Sequence, residues 1–76
     1  LIFHVQEHRF TLPQIKNCLD ELGLKFCGFE NKGVISNFRE IYSNEADIYN
    51  LELWHEFEKR NPQAFAGMYQ FWCQKY

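Results

Sequence analysis

Apolar positions along the chain follow two periods, and each period marks a kind of element. Ile15, Cys18, Leu19 and Leu22 recur at i, i+3, i+4 and i+7, the stripe of an amphipathic helix. The flanking residues agree. Thr11 and Gln14 have the capping-box spacing, and Pro13 sits in the first turn, where its missing N–H costs nothing. Phe10 and Ile15 have the spacing of a hydrophobic staple. Gly23 can take the left-handed conformation that closes a helix, letting Leu24 fold back onto Leu19. These signals predict a helix over 12–22. Leu51, Trp54 and Phe57 predict a second over 50–60, capped by Asp47 or Asn50 and ended by Asn61-Pro62. Its outer face offers Glu56 to Lys59 or Arg60. Val34, Ile35, Phe38, Ile41 and Tyr42 suggest a helix over 34–42, and Ser43 to Ala46 reads as loop.

The strand signals are fewer. Leu24 to Glu30 reads as a strand, weakened at Gly28 and ended by the turn composition Asn31-Lys32-Gly33. Leu1, Phe3 and Val5 alternate with Ile2, His4 and Gln6, as in a short strand running into an irregular Glu7-His8-Arg9. The last twelve residues, Phe65 to Tyr76, hold five aromatics and fit both periods. Aromatics on both faces favour a terminal strand over 67–75. The fold class is therefore α/β, in the order β-α-β-α-α-β. Two well-marked strands beneath three helices make a poor free-standing sheet. With no methionine at the start, residues 1–76 are expected to be a single unit from a larger domain.

Composition narrows the function classes. The chain has 76 residues, a formal charge of −2 and a pI near 5.9. Without a basic footprint, nucleic acid is not an expected partner. No apolar run approaches the roughly 20 residues of a membrane span, and no signal peptide is recognisable. Cys18, Cys27 and Cys73 are too widely spaced for a thiolate zinc site and odd in number for a disulfide framework. They read as small core residues of a reducing, cytoplasmic compartment.

The densest polar cluster is His4-Val5-Gln6-Glu7-His8-Arg9. His4-x-x-Glu7-His8 matches a zinc-peptidase pattern, which on a helix would put both histidines on one face. The helix cap that begins immediately afterwards opposes that geometry. In an extended chain the two histidines lie about 13 Å apart. No metal ligands and no catalytic residues are assigned. The glycines form no nucleotide loop. Trp54, Tyr69, Phe71 and Trp72 read as core rather than as a ligand-stacking set.

Several blocks carry a resemblance over nearly the whole chain. They are His4 to Ile15, Leu22-Gly23-Leu24 with Gly28-Phe29-Glu30, Leu53-Trp54-His55 with Phe57-Glu58, and Asn61-Pro62 with Phe65 to Trp72. Together they resemble the C-terminal part of bacterial class I S-adenosylmethionine-dependent methyltransferases, a family often carrying tetratricopeptide repeats. The resemblance implies the last third of a Rossmann-like sheet, with residues 67–75 inserted antiparallel between strands five and six. It implies helices on both faces of that strand. It places His4, Gln6, Glu7, His8 and Arg9 on the connection after strand five, lining the substrate side. A competing role for Glu7 and Arg9 is to tie that loop to the following helix. The glycine-rich loop and acidic residue that hold S-adenosylmethionine are not among these residues. The cofactor therefore belongs to the parent protein, and the isolated chain is expected to be inactive.

The implied partner is the remainder of the methyltransferase domain. The alternative function is a non-catalytic interaction module that uses an exposed aromatic sheet edge. Either way, loss of neighbouring strands at Phe26, Phe29, Phe71 and Trp72 would favour a homodimer through exposed strand edges.

Overall fold

The computed structural model describes residues 2–76. Strand β1 (Ile2–Glu7) leads into helix α1 (Leu12–Leu22), strand β2 (Leu24–Phe29) and helix α2 (Lys32–Ile41). A 3-10 turn follows at Glu45–Tyr49, then helix α3 (Leu51–Arg60) and strand β3 (Tyr69–Lys75). The sheet has three strands in the order β1-β3-β2, and β3 runs antiparallel to both neighbours. β1 and β2 therefore point the same way, with the last strand of the chain between them. Among the described residues no helix is long and apolar enough to cross a membrane.

Local chemistry explains the elements. At α1 the box is complete: the Thr11 hydroxyl accepts from the Gln14 N–H at 3.4 Å, and the Gln14 side chain accepts from the Thr11 N–H at 2.8 Å. Gly23 ends the helix at φ 69°, a left-handed conformation that costs other residues about 1–2 kcal/mol. α2 begins two residues earlier than the apolar stripe suggests. Asn31, read as part of a turn, instead caps the helix by accepting from the Val34 N–H at 3.1 Å. Asn50 is the cap of α3, accepting from the N–H groups of Glu52 and Leu53. The 3-10 turn begins inside the expected loop Ser43 to Ala46 and runs beyond it to Tyr49, and Asn44 starts it by accepting from the Ala46 N–H.

The core is largely aromatic. Leu12, Phe38 and Trp54 are fully buried, with Ile15, Leu19, Phe57, Phe65 and Phe71 around them. Phe38 stacks on Trp54 with ring centroids 3.9 Å apart. The Trp54 indole N–H donates to the Ile48 carbonyl at 2.8 Å, so the 3-10 turn supplies the partner this buried donor needs. Phe29 meets Trp54 and Phe65 edge-on or tilted, each at 4.7 Å, and joins the sheet to the helices.

Three expectations need correction. First, the sheet has three strands rather than two secure ones, because Ile2–Glu7 pairs with β3 along its whole length. Second, β3 begins at Tyr69, not at residue 67. Ala66 at φ 51° and Gly67 at φ 81° form a left-handed turn that cannot continue a strand. Third, β3 is not covered on both faces. Phe71 and Cys73 are buried with Phe26 and Phe29 against the helices, whereas Trp72 on the other face is 37% exposed. Phe26 and Phe29 share a face despite their odd spacing because the pairing with β3 shifts between them. Gly28, at φ 108°, supplies the backbone conformation for that bulge.

Candidate functional site

The parallel direction of β1 and β2 brings their carboxyl ends to one rim of the sheet. β3 begins at the same rim: Glu7 is opposite Tyr69, and Gln6 is opposite Gln70. On the β2 side the Glu30 N–H donates to the Gln70 carbonyl at 2.9 Å. Beside this junction lies an open cleft of about 320 Å³, lined by Glu30, Asn31, Phe65, Ala66, Met68 and Gln70. In open α/β sheets such carboxyl-end crevices are where ligands bind.

The five residues singled out from the sequence divide among three environments. His4 and Gln6 lie within β1, not on the connection after it, because the strand continues to Glu7. Both side chains belong to the helix-free face. There the His4 Nε2 lies 2.8 Å from a Glu30 carboxylate oxygen, and the imidazole is 4.7 Å from the Trp72 ring. This cluster joins β1, β3 and the residue that follows β2. The His4 and Glu30 side chains are 27% and 49% exposed, so solvent screens the contact and it is worth at most about 1 kcal/mol.

Glu7 ends the strand and turns inward on its own backbone. One carboxylate oxygen accepts from the N–H groups of His8, Arg9 and Phe10, at 3.0, 2.7 and 3.4 Å. The Arg9 N–H is the main reason the Glu7 carboxyl is held below its usual range. Partial burial opposes the shift, while the Phe10 and His8 N–H groups and the charge on His8 reinforce it. Glu7 thus ties the β1–α1 connection to itself, without a hydrogen bond to the helix. His8 and Arg9 are exposed in that connection.

This geometry does not reproduce the zinc-peptidase arrangement. β1 is extended, His4 is directed to Glu30, and Glu7 is occupied by backbone donors. Among the described residues no group of three histidine, cysteine or acidic side chains is placed to hold a metal ion.

Sequence reasoning missed Glu30 and Gln70 as rim residues. The available signal was positional: each is a polar residue next to a buried phenylalanine of a strand. Tyr69, first placed only in an aromatic set, donates its phenol to the Glu58 carboxylate at 2.5 Å. Burial is the main cause that drives its ionisation well above the ordinary tyrosine range, helped by the Glu58 hydrogen bond and charge. The contact fastens the start of β3 to the last turn of α3.

The cysteines form no pair. Cys73 is buried on β3, whereas Cys18 and Cys27 are half-buried on α1 and β2. No protein-family model, curated protein or solved structure matches the chain.

Proposed function

We propose that the chain is the C-terminal segment of an S-adenosylmethionine-dependent methyltransferase, where it completes the sheet and lines the substrate side. One observation carries this reading: an antiparallel final strand lies between two parallel strands joined through a helix. That is the arrangement the sequence resemblance implies for strands five, seven and six. The free side of β1 would then receive the rest of the sheet. The rim formed by Gln6, His8, Arg9, Glu30 and Gln70 would face the methyl acceptor. His4 would stand behind the rim on the open face, and Glu7 would hold the connecting turn. S-adenosylmethionine would be bound by the preceding part of the domain. The cytoplasmic placement belongs to the same proposal.

Two measurements test the reading. The polypeptide containing this segment at its C-terminus should transfer a labelled methyl group from S-adenosylmethionine, and should lose that activity when residues 69–75 are deleted. The 76-residue chain alone should show no saturable binding of the cofactor by calorimetry. Micromolar binding to the isolated chain would refute the division of labour. A parent polypeptide without a glycine-rich loop in an upstream βα unit would refute the class.

A second reading, a non-catalytic module that binds a protein by strand addition, draws on the free side of β1. The edge it would use is not the aromatic strand, because β3 is paired on both sides.

A further inference from the structure

The two edges of the sheet are unlike. β2 is interrupted by the bulge near Gly28, and Tyr49 of the 3-10 turn lies 3.8 Å from where a Gly28 Cβ would be. Both features blunt a strand edge. β1 is regular, with six consecutive partners on β3 and, among the described residues, no partner on its other side. It has no lysine, proline or bulge along Ile2–Glu7, the usual devices that discourage edge pairing. Ile2 is 60% and Phe3 45% exposed. The same strand borders a mainly apolar cleft against α1, lined by Val5, Phe10, Ile15, Cys18, Leu22 and Phe71 among others. A regular open edge and an apolar cleft therefore coincide.

We infer that β1 is a self-association edge whose occupant is β1 of a second copy, paired antiparallel about a two-fold axis. β1 is a suitable guest for its own edge. It is already extended, and Phe3 and Val5 alternate on the face that carries the cleft. Directly opposed residues of antiparallel strands share a face, so only registers that preserve this alternation are allowed. Opposing His4 to His4 sets Phe3 against Val5 of the copy, and Val5 against its Phe3. Two aromatic–β-branched pairs then form on the cleft side, a favourable cross-strand combination. A register centred on Phe3 sets Val5 against residue 1, outside β1, and one centred on Val5 sets Phe3 against Glu7, whose carboxylate is committed to backbone donors. The pairing is isologous and uses the one regular open edge of each copy, so it closes at two. The product is a six-stranded sheet in the order β2-β3-β1-β1-β3-β2.

This inference concerns the 76-residue chain and does not rest on the methyltransferase reading, in which a neighbouring strand takes the same edge. Sedimentation of the 76-residue chain from micromolar to millimolar concentration tests it, alongside Phe3→Lys and amide exchange of β1. The expected result is a monomer–dimer equilibrium. The substitution should weaken it about tenfold or more, since each dimer holds two such side chains, and unpaired β1 amides should then exchange faster. Ile2→Lys replaces Phe3→Lys if the latter loses its folded circular-dichroism spectrum. A monomer throughout the range, a dimer indifferent to the substitution, or growth beyond two copies would each overturn the inference. None of these outcomes bears on cofactor binding by the longer polypeptide, so the two readings fail separately.

Discussion

Trp54 shows how one side chain can set the terms for its neighbours. It is fully buried, stacked on Phe38, edge-on to Phe29 and Phe57, and hydrogen-bonded to the Ile48 carbonyl. Trp54→Ala should cost about 3–5 kcal/mol. In a domain this small that is much or all of the stability, so a urea titration should find little cooperative transition. Trp54→Phe should cost less by preserving most of the packing, but leaves the Ile48 carbonyl without its donor. The sequence shows why this position is apolar, since Trp54 lies on the stripe with Leu51 and Phe57. It does not show the Ile48 carbonyl, because that partner arises from a turn invisible to hydrophobic periodicity. Glu7 teaches the same point for polar groups. Its sequence neighbours complete a zinc-peptidase pattern, whereas the fold gives it three backbone N–H groups. Because its folded-state pKa is lowered, its contribution is present at neutral pH. It should be lost as pH falls through the lowered carboxyl range. Glu7→Gln should therefore be less stable than the parent at pH 7, with the difference shrinking in acid. Urea midpoints measured at both pH values check this.

At the level of elements, residues that punctuate structure were easier to read than the sheet. α1 has the predicted bounds because its start, stripe and stop all agree. The starts of α2 and α3 depend on Asn31 and Asn50, whose side chains replace absent helical acceptors. Asn50→Ala should cost about 1 kcal/mol, read as a lower urea midpoint with an unchanged slope. Asn50→Asp should retain most of the cap. β1 was harder to read, since alternation over six residues also fits a loop with polar side chains. Only its pairing with β3 settles the matter, and that partner lies at the other end of the chain. The bulge near Gly28 is a sequence signal whose meaning became specific in the fold. Gly28→Ala should destabilise through backbone strain at positive φ, even though the nearest side chain leaves room for a methyl group. A comparison of Gly28→Ala with Gly33→Ala, where φ is not positive, separates that strain from an ordinary loss of chain flexibility.

The described residues form one layer of helices on one face of a three-stranded sheet, and among them no helix covers the other face. The candidate rim exists only in this assembled form. Gln6 and Gln70 lie on β1 and β3 and Glu30 just past the end of β2, widely separated in sequence, and no local motif announces them as neighbours. The final strand lies between two others, and His4 and Gln6 lie inside a strand rather than on a connection after one. On the proposed methyltransferase reading, alanine at His8 or Arg9 in the longer polypeptide should alter the KM for the methyl acceptor more than that for S-adenosylmethionine. Equal effects on both would argue against a substrate wall here.

The central place of β3 also bears on how the molecule is made. β1 is synthesised first, yet every backbone partner it has in the sheet belongs to Tyr69–Lys75 or its immediate neighbours. During translation at roughly 5–20 residues per second, β1 must wait several seconds for that segment to appear. α1 can form early, but the sheet cannot close around a missing middle. For those seconds the nascent chain presents β1 and β2 as separate ribbons with apolar faces. A chaperone that shields extended apolar segments should therefore engage the chain before β3 has emerged, and release it once that strand is available.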